Sequence, residues 1–230
     1  MTKYRTIVVV GASRGIGREM VKLFASDPNS KVLALSRNSD RMEEAFSKFT
    51  NVECHVMDLN ANNVRENCET IFSSVASIDV LINNAGYLIN KPFLELTRKE
   101  IENCYSVNVL GVIETVQAAM KTMQAGHIVN ISSIGGVQGS VKFPGLSAYS
   151  TSKAALCSLT ELFAEEYKES AIKMNCLALG AAQTEMLEEA FPGYEAPVSA
   201  EKMAEFIVQF ALTGHQWMNG KIIPVSLSTP

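Results

Sequence analysis

The stretch TIVVVGASRGIG, residues 6–17, decides the fold. Ile7, Val8, Val9 and Val10 form a short, mostly β-branched run with no polar break, which suits a strand buried on both faces of a parallel sheet. Glycines at 11, 15 and 17 interrupt it, and Ile16, Met20, Leu23 and Phe24 then recur at helical spacing. A glycine-rich turn between strand and helix lets backbone N–H groups approach a phosphate at the positive end of the helix. The spacing is GxxxGxG rather than GxGxxG. No Gly-Lys-Ser/Thr follows, so a P-loop nucleoside triphosphatase is excluded.

The same alternation runs outward along the chain. Strand candidates are 5–10, 31–35, 52–57, 79–83, 127–132, 172–178 and 221–225. Between them lie apolar stripes at helical spacing. Val112, Val116, Ala119, Met120 and Met123 form one; Ala155, Leu159, Leu162 and Phe163 another; Met203, Phe206, Ile207 and Phe210 a third. Strand–helix alternation predicts an α/β fold, a doubly wound, Rossmann-like parallel sheet of about seven strands flanked by helices. No linker or repeat divides residues 1–230, so one domain is expected, with a flexible substrate flap at about 181–199. In such a sheet ligands bind beyond the carboxyl ends of the strands.

Composition narrows the function. The net charge is −4, with 20 Lys+Arg against 24 Asp+Glu, and gives no electrostatic case for nucleic acid or an anionic membrane. No apolar run reaches the length of a membrane span, and the run at 7–10 is too short for a secretory signal. The five cysteines (54, 68, 104, 157 and 176) are odd in number and lack CxxC spacing. They predict reduced thiols in a cytoplasmic protein rather than a disulfide framework or a zinc ribbon. His55, His127 and His215 are isolated and predict no metal site.

The chemistry is carried by residues that follow the strands. Tyr149 and Lys153 fall on one face at the start of a helical segment. A nearby ammonium favours the phenolate and moves a phenol, ordinarily near pH 10, toward a working general acid/base. Tyr87 and Lys91 share that spacing, but Pro92 disfavours helix there. Ser132 and Ser133 end the fifth strand, where a hydroxyl can donate to a carbonyl oxygen. Asn83-Asn84-Ala85-Gly86 closes the fourth strand, and Asn108 lies in a helical stretch. At the end of the second strand, where a site selective for NAD usually has an acidic residue, stand Ser36 and Arg37. With Arg14 in the glycine loop, they favour a 2′-phosphate.

Together these motifs resemble the short-chain dehydrogenases/reductases of the single-domain type, and the resemblance covers nearly the whole chain. It implies catalytic roles for Asn108, Ser133, Tyr149 and Lys153. It also implies a cofactor lying along Gly11, Ser13, Arg14, Gly15, Ile16, Gly17, Ser36, Arg37, Asp58, Leu59, Asn84, Ala85, Gly86, Tyr149, Lys153, Gly180 and Thr184. That cofactor is expected to be NADP(H) in preference to NAD(H). Tyr149 would exchange the proton of a ketone/alcohol substrate, Ser133 would position the substrate oxygen, and Lys153 would bind the nicotinamide ribose. Asn108 would hold a water that relays protons through Lys153. The subgroup most similar is the NADPH-dependent carbonyl and 3-oxoacyl-carrier-protein reductases, and the partner expected is a small carbonyl or alcohol molecule. The family habit also implies a homodimer or homotetramer.

Several positions depart from the family pattern. Val10 stands where Thr is usual, Leu179 where Pro precedes Gly180, and the end PVSLSTP where many members have Asp-Gly-Gly. The 134–146 loop is longer than usual. With 88–93 and the flap it would line the substrate pocket, giving it apolar walls from Val141, Phe143, Leu146, Phe191 and Tyr194. Two other classes compete. GLSAY (145–149) nearly spells a hydrolase nucleophile elbow but lacks its closing glycine and follows no strand. A catalytically idle NADP(H)-binding sensor of the same fold would usually have lost Tyr149 or Lys153, and both are present.

Overall fold

A computed structural model describes residues 4–227. Seven strands form one sheet: β1 (Arg5–Val10), β2 (Ser30–Ser36), β3 (Val52–Val56), β4 (Val80–Asn83), β5 (Gly126–Ser133), β6 (Ile172–Leu179) and β7 (Ile222–Val225). Their order is β3-β2-β1-β4-β5-β6-β7, and every pairing is parallel. Each of the seven strand candidates is present, with ends moved by at most one residue. The helices are α1 (Gly15–Ala25), α2 (Ser39–Phe46), α3 (Val64–Phe72), α4 (Arg98–Tyr105), α5 (Gly111–Ala119), α6 (Ser147–Glu166), α7 (Glu185–Ala190) and α8 (Ala200–Thr213).

The apolar run of β1 is explained by its place in the middle of the sheet. Ile7 and Val9 pack with Met20 and Phe24 of α1, Met42 of α2 and Met203 and Ile207 of α8. Val8 and Val10 face the other way, into a core with Phe72 of α3, Val112 of α5 and Leu156 of α6. Alternate residues therefore serve opposite layers, each stabilised by roughly 1.5–3 kcal/mol per fully buried large side chain. Pro224, which cannot donate to a ladder, sits in the edge strand β7.

The helical stripes hold in part. Met20, Phe24, Val116, Ile207 and Phe210 are buried, but Leu23, Leu162 and Phe206 are 36%, 65% and 40% exposed. A stripe at i, i+3, i+4 spans more than 100° of the helix, and a flat sheet covers only its centre. Met120 and Met123 lie beyond the end of α5, in a turn that still buries Met123. The segment 181–199, expected as a flexible substrate flap, contains α7, capped by Thr184. Its connections are also bonded internally, by Ala196 N–H to Gln183 Oε1 and Gly193 N–H to Glu188 Oε1.

Strand order fixes where a ligand can lie. The chain leaves β1 on one side to form β2 and β3, then crosses to the other side for β4. The crevice opens at that switch, beyond Val10, Leu35 and Asn83, which are paired in register at the carboxyl ends.

Candidate active site

The glycine loop is built by close approach of backbones. Gly11 has φ +89°, and a Cβ there would meet the Ala85 backbone at 2.6 Å. A Cβ on Gly17 would lie 1.9 Å from the Gly11 carbonyl oxygen. Asn84 ties the turns together: its N–H donates to Val10 O (3.0 Å) and its Nδ2 to Gly11 O (2.9 Å). The Ser36 hydroxyl donates to that of Ser13 at 2.8 Å, joining β2 to the loop. Helix α1 opens at Arg14 with no side-chain cap and no acidic residue of its own in the first turn. Its first N–H groups and its positive end suit an anion.

The basic end of the crevice is more occupied than the sequence implies. A cavity of about 710 Å³ is lined by Ser13, Arg14, Ser36, Arg37, Arg41 and Glu189 among others. Arg14, expected to face a cofactor phosphate, instead makes a bidentate ion pair with Glu189 of α7, NH2 meeting Oε2 at 3.0 Å and NH1 holding Oε1 more closely. The two residues are 175 positions apart, which no local spacing reveals. Arg41, on α2, is a third guanidinium here that the sequence reading missed. Asp58 is exposed at the rim and accepts from Asn60 N–H (3.0 Å), and Leu59 is buried beside it.

At the other end the four expected side chains converge. Ser133 ends β5; its Oγ accepts from Gly135 N–H at 3.2 Å and shares a hydrogen bond with Tyr149. Its neighbour Ser132 donates to Lys153 O (2.7 Å), anchoring α6. Tyr149 and Lys153 lie one helical turn apart, with the Lys153 ammonium 5.7 Å from the Tyr149 ring centroid. Lys153 is 3% exposed, and one of its N–H groups donates to Ile131 O at 2.8 Å. Burial pulls its pKa down to about 8, against the pull of the Cys176, Cys104 and Cys157 thiols. Burial of Tyr149 pushes its pKa up to about 12, opposed only by the hydrogen bond with Ser133.

Asn108 is fully buried in a π turn, Ser106–Leu110, that joins α4 to α5. Its Oδ1 accepts from Tyr87 N–H (2.7 Å), while Nδ2 donates to Tyr87 O and Ser152 Oγ, both at 2.9 Å. Both amide N–H groups are therefore taken, and one acceptor lone pair is left for a water. The extra residue of a π turn re-aims this side chain, a signal that helical periodicity hides.

One cavity of about 570 Å³ joins the two ends. It passes Ser36, Arg37, Asp58 and Leu59, follows Gly11, Ser13, Arg14, Gly15 and Ile16, crosses Asn84, Ala85 and Gly86, and reaches Ser133, Tyr149 and Lys153. Gly180 and Thr184 line its far wall. Gly17 lies beneath the loop, where it admits the backbone rather than facing the cavity. All five expected apolar wall residues are present: Val141, Phe143, Leu146, Phe191 and Tyr194. Met186 and Leu187 of α7 belong to the 181–199 segment expected to line the pocket, and Tyr87, just before the expected 88–93 stretch, is a wall residue that the sequence reading did not find.

Comparison with known proteins shows which family the chain resembles in sequence and fold. Residues 5–195 match the family model described as short chain dehydrogenase. The chain is 29% identical to a 3-oxoacyl-acyl-carrier-protein reductase of Aquifex aeolicus, covering 95% of this chain and 94% of the relative. It is 32% identical to carbonyl reductase family member 4 of Xenopus laevis, over 80% of this chain and 78% of that protein. A short chain dehydrogenase from Burkholderia cenocepacia, solved in complex with NADP, superposes with a TM-score of 0.87 at 24% identity, covering 97% of each chain.

Proposed function

This chain belongs to the short-chain dehydrogenase/reductase family, oxidoreductases that act on alcohol and carbonyl groups, and we propose that it is an NADP(H)-dependent carbonyl reductase with Tyr149 as its general acid. The observation that carries the reading is the single crevice itself. A Ser133–Tyr149–Lys153 cluster, with Lys153 buried and the two hydroxyls half-buried, stands at one end, and an arginine-lined anion site stands at the other.

The residues present fit the cofactor. The uncapped end of α1, and a glycine loop whose backbone admits no side chain, suit a diphosphate. Arg37 and Arg41, with Arg14, suit a 2′-phosphate. When bound, NADP(H) supplies or accepts the hydride. The rest is the protein's. The Ser133 hydroxyl donates to the substrate oxygen and holds it beside Tyr149. The Tyr149 hydroxyl protonates that oxygen as negative charge develops on it. Lys153, with N–H groups left over from Ile131 O, holds the nicotinamide ribose and stabilises the phenolate that remains. Asn108 fixes the backbone of Tyr87 and offers its remaining lone pair to a water in the proton path.

Burial holds the Tyr149 hydroxyl in its protonated form, the form a general acid needs. The apolar walls favour a carbonyl compound with a hydrocarbon portion. We further read the protein as a single-domain cytoplasmic homo-oligomer, in keeping with five free thiols and the exposed Phe93, Leu94 and Trp217. The test is NADPH consumption across a panel of ketones and β-keto thioesters. Turnover of at least one class that is lost in Tyr149→Phe is expected. Turnover that survives the substitution would overturn the assignment of Tyr149.

A further inference from the structure

Helix α7 meets the cofactor crevice with two carboxylates, one turn apart, opposite two arginines that are also one turn apart. Glu189 holds Arg14 in the bidentate pair described above, and Arg18 NH1 lies 3.6 Å from Glu185 Oε1. The helix also leans on the glycine loop itself. A Cβ on Gly15 would meet Thr184 Cγ2 at 3.2 Å and Glu185 Oε2 at 3.4 Å. Farther along, Asn90 Nδ2 donates to Ala190 O (2.9 Å) and steadies the end of α7. Glu189 thus sits where the arginines converge, within the field of Arg41 as well as on Arg14.

A guanidinium carries five N–H donors, paired for two oxygens along its Nη1/Nη2 edge and along its Nε side. A carboxylate already uses the Nη1/Nη2 edge of Arg14. A 2′-phosphate brings a charge of about −1.5 to −2 to the same arginines. Two anions held side by side on one guanidinium repel each other. We propose that Glu189 is a specificity-determining residue, an internal anion that occupies the 2′-phosphate site and must yield Arg14 when NADP(H) binds. The inference rests on the NADP(H) reading above.

Three consequences follow from the geometry. Glu189 lowers the affinity for a cofactor carrying the 2′-phosphate and leaves one without it nearly untouched, so it narrows the preference that the arginines create. Displacement of Glu189 releases one of the two ion pairs that hold α7 against the glycine loop. Because Met186 and Leu187 on the same helix line the crevice, cofactor binding and the shape of the substrate wall become linked. The Glu189 and Arg14 side chains are 62% and 31% exposed, so water screens the pair and the competition amounts to a few-fold in affinity.

The experiment is calorimetric titration of NADPH and NADH into the wild-type protein, Glu189→Gln and Glu185→Gln. Both glutamates lie on the surface of α7, so both variants keep the core intact. Glu189→Gln is expected to bind NADPH about three- to five-fold more tightly than wild type, with NADH affinity unchanged and the NADPH gain shrinking at high salt. Glu185→Gln leaves Arg18 paired with Glu19 and removes a charge that reaches Arg14 only through space, so its NADPH-selective gain is expected to be clearly smaller than that of Glu189→Gln. Unchanged or weaker NADPH binding by Glu189→Gln, beside a wild-type preference for NADPH, overturns the inference alone. The same NADPH-selective gain in both variants also overturns it, because loosening of α7 would then be the cause. Equal affinity of the wild type for NADPH and NADH overturns the underlying cofactor reading and this inference with it.

Discussion

Strand β5 carries a cluster of buried polar groups at each end, and the two clusters use their hydrogen bonds differently. At the amino end, His127 is fully buried, with Nδ1 3.0 Å from Ala211 O and Nε2 2.9 Å from Asn175 Nδ2. Asn175 donates its other N–H to Met218 O (2.9 Å) and accepts from Lys221 N–H (3.0 Å). Each polar atom of that pair has a partner inside the protein. At the carboxyl end, Lys153 uses one N–H on Ile131 O, Asn108 keeps one lone pair, and Ser133 and Tyr149 face a cavity. Closed networks hold a fold; networks with capacity left over, aimed into a crevice, are equipped for chemistry. The same contrast explains why His127, on the strand that delivers Ser133, has no part in the proposed reaction.

The largest effect expected from this contrast is at the open cluster. Tyr149→Phe should lower kcat about a thousand-fold, the range for loss of a positioned general acid. NADPH affinity should stay within a few-fold. A kcat near that of wild type would remove Tyr149 from the acid role.

The closed cluster should answer in stability instead. Burial lowers the pKa of His127 to about 4, against an ordinary value of 6.5. Between those values the unfolded chain binds one more proton than the folded one, so stability rises with pH and is lost as pH falls from 6.5 toward 4. Across that window the loss should be roughly 3 kcal/mol. His127→Gln should flatten the dependence of Tm on pH between 6.5 and 4.5 and leave the kcat of folded enzyme unchanged. A kcat that fell with this substitution would join the two ends of β5 functionally and break the comparison.

The smallest of the three effects lies at the exposed basic end. Arg37→Ala should weaken NADPH binding about ten-fold, as for a lost charge-assisted hydrogen bond, and NADH binding hardly at all. Equal loss for both cofactors would show that Arg37 does not meet the 2′-phosphate.

The sheet was legible in the sequence because strands buried on both faces read as unbroken apolar runs, β1 above all. The helices were legible only where they pack deeply. Helix α2 buries Met42 and Phe46 alone, and α7 buries no residue, so neither shows a stripe. The open cluster was legible because Tyr149 and Lys153 are local to one helix and Ser133 ends a strand. The bonds that aim them are not local: Asn108 reaches Tyr87 through a π turn, and Lys153 reaches a backbone carbonyl of β5. Arg14 was read correctly as a loop arginine, but its partner Glu189 belongs to a helix with no sequence signature. An ion pair between distant segments leaves no spacing to read.

The central claim is that the crevice binds a 2′-phosphorylated nicotinamide dinucleotide for use by Tyr149. Titrating wild-type protein calorimetrically with NADPH and, separately, with NADH tests it most directly. The account predicts saturable one-to-one binding of NADPH at least ten-fold tighter than that of NADH. Equal affinities would contradict the phosphate assignment of the arginines, and no binding of either would leave the glycine loop as a turn and the proposed chemistry without its hydride.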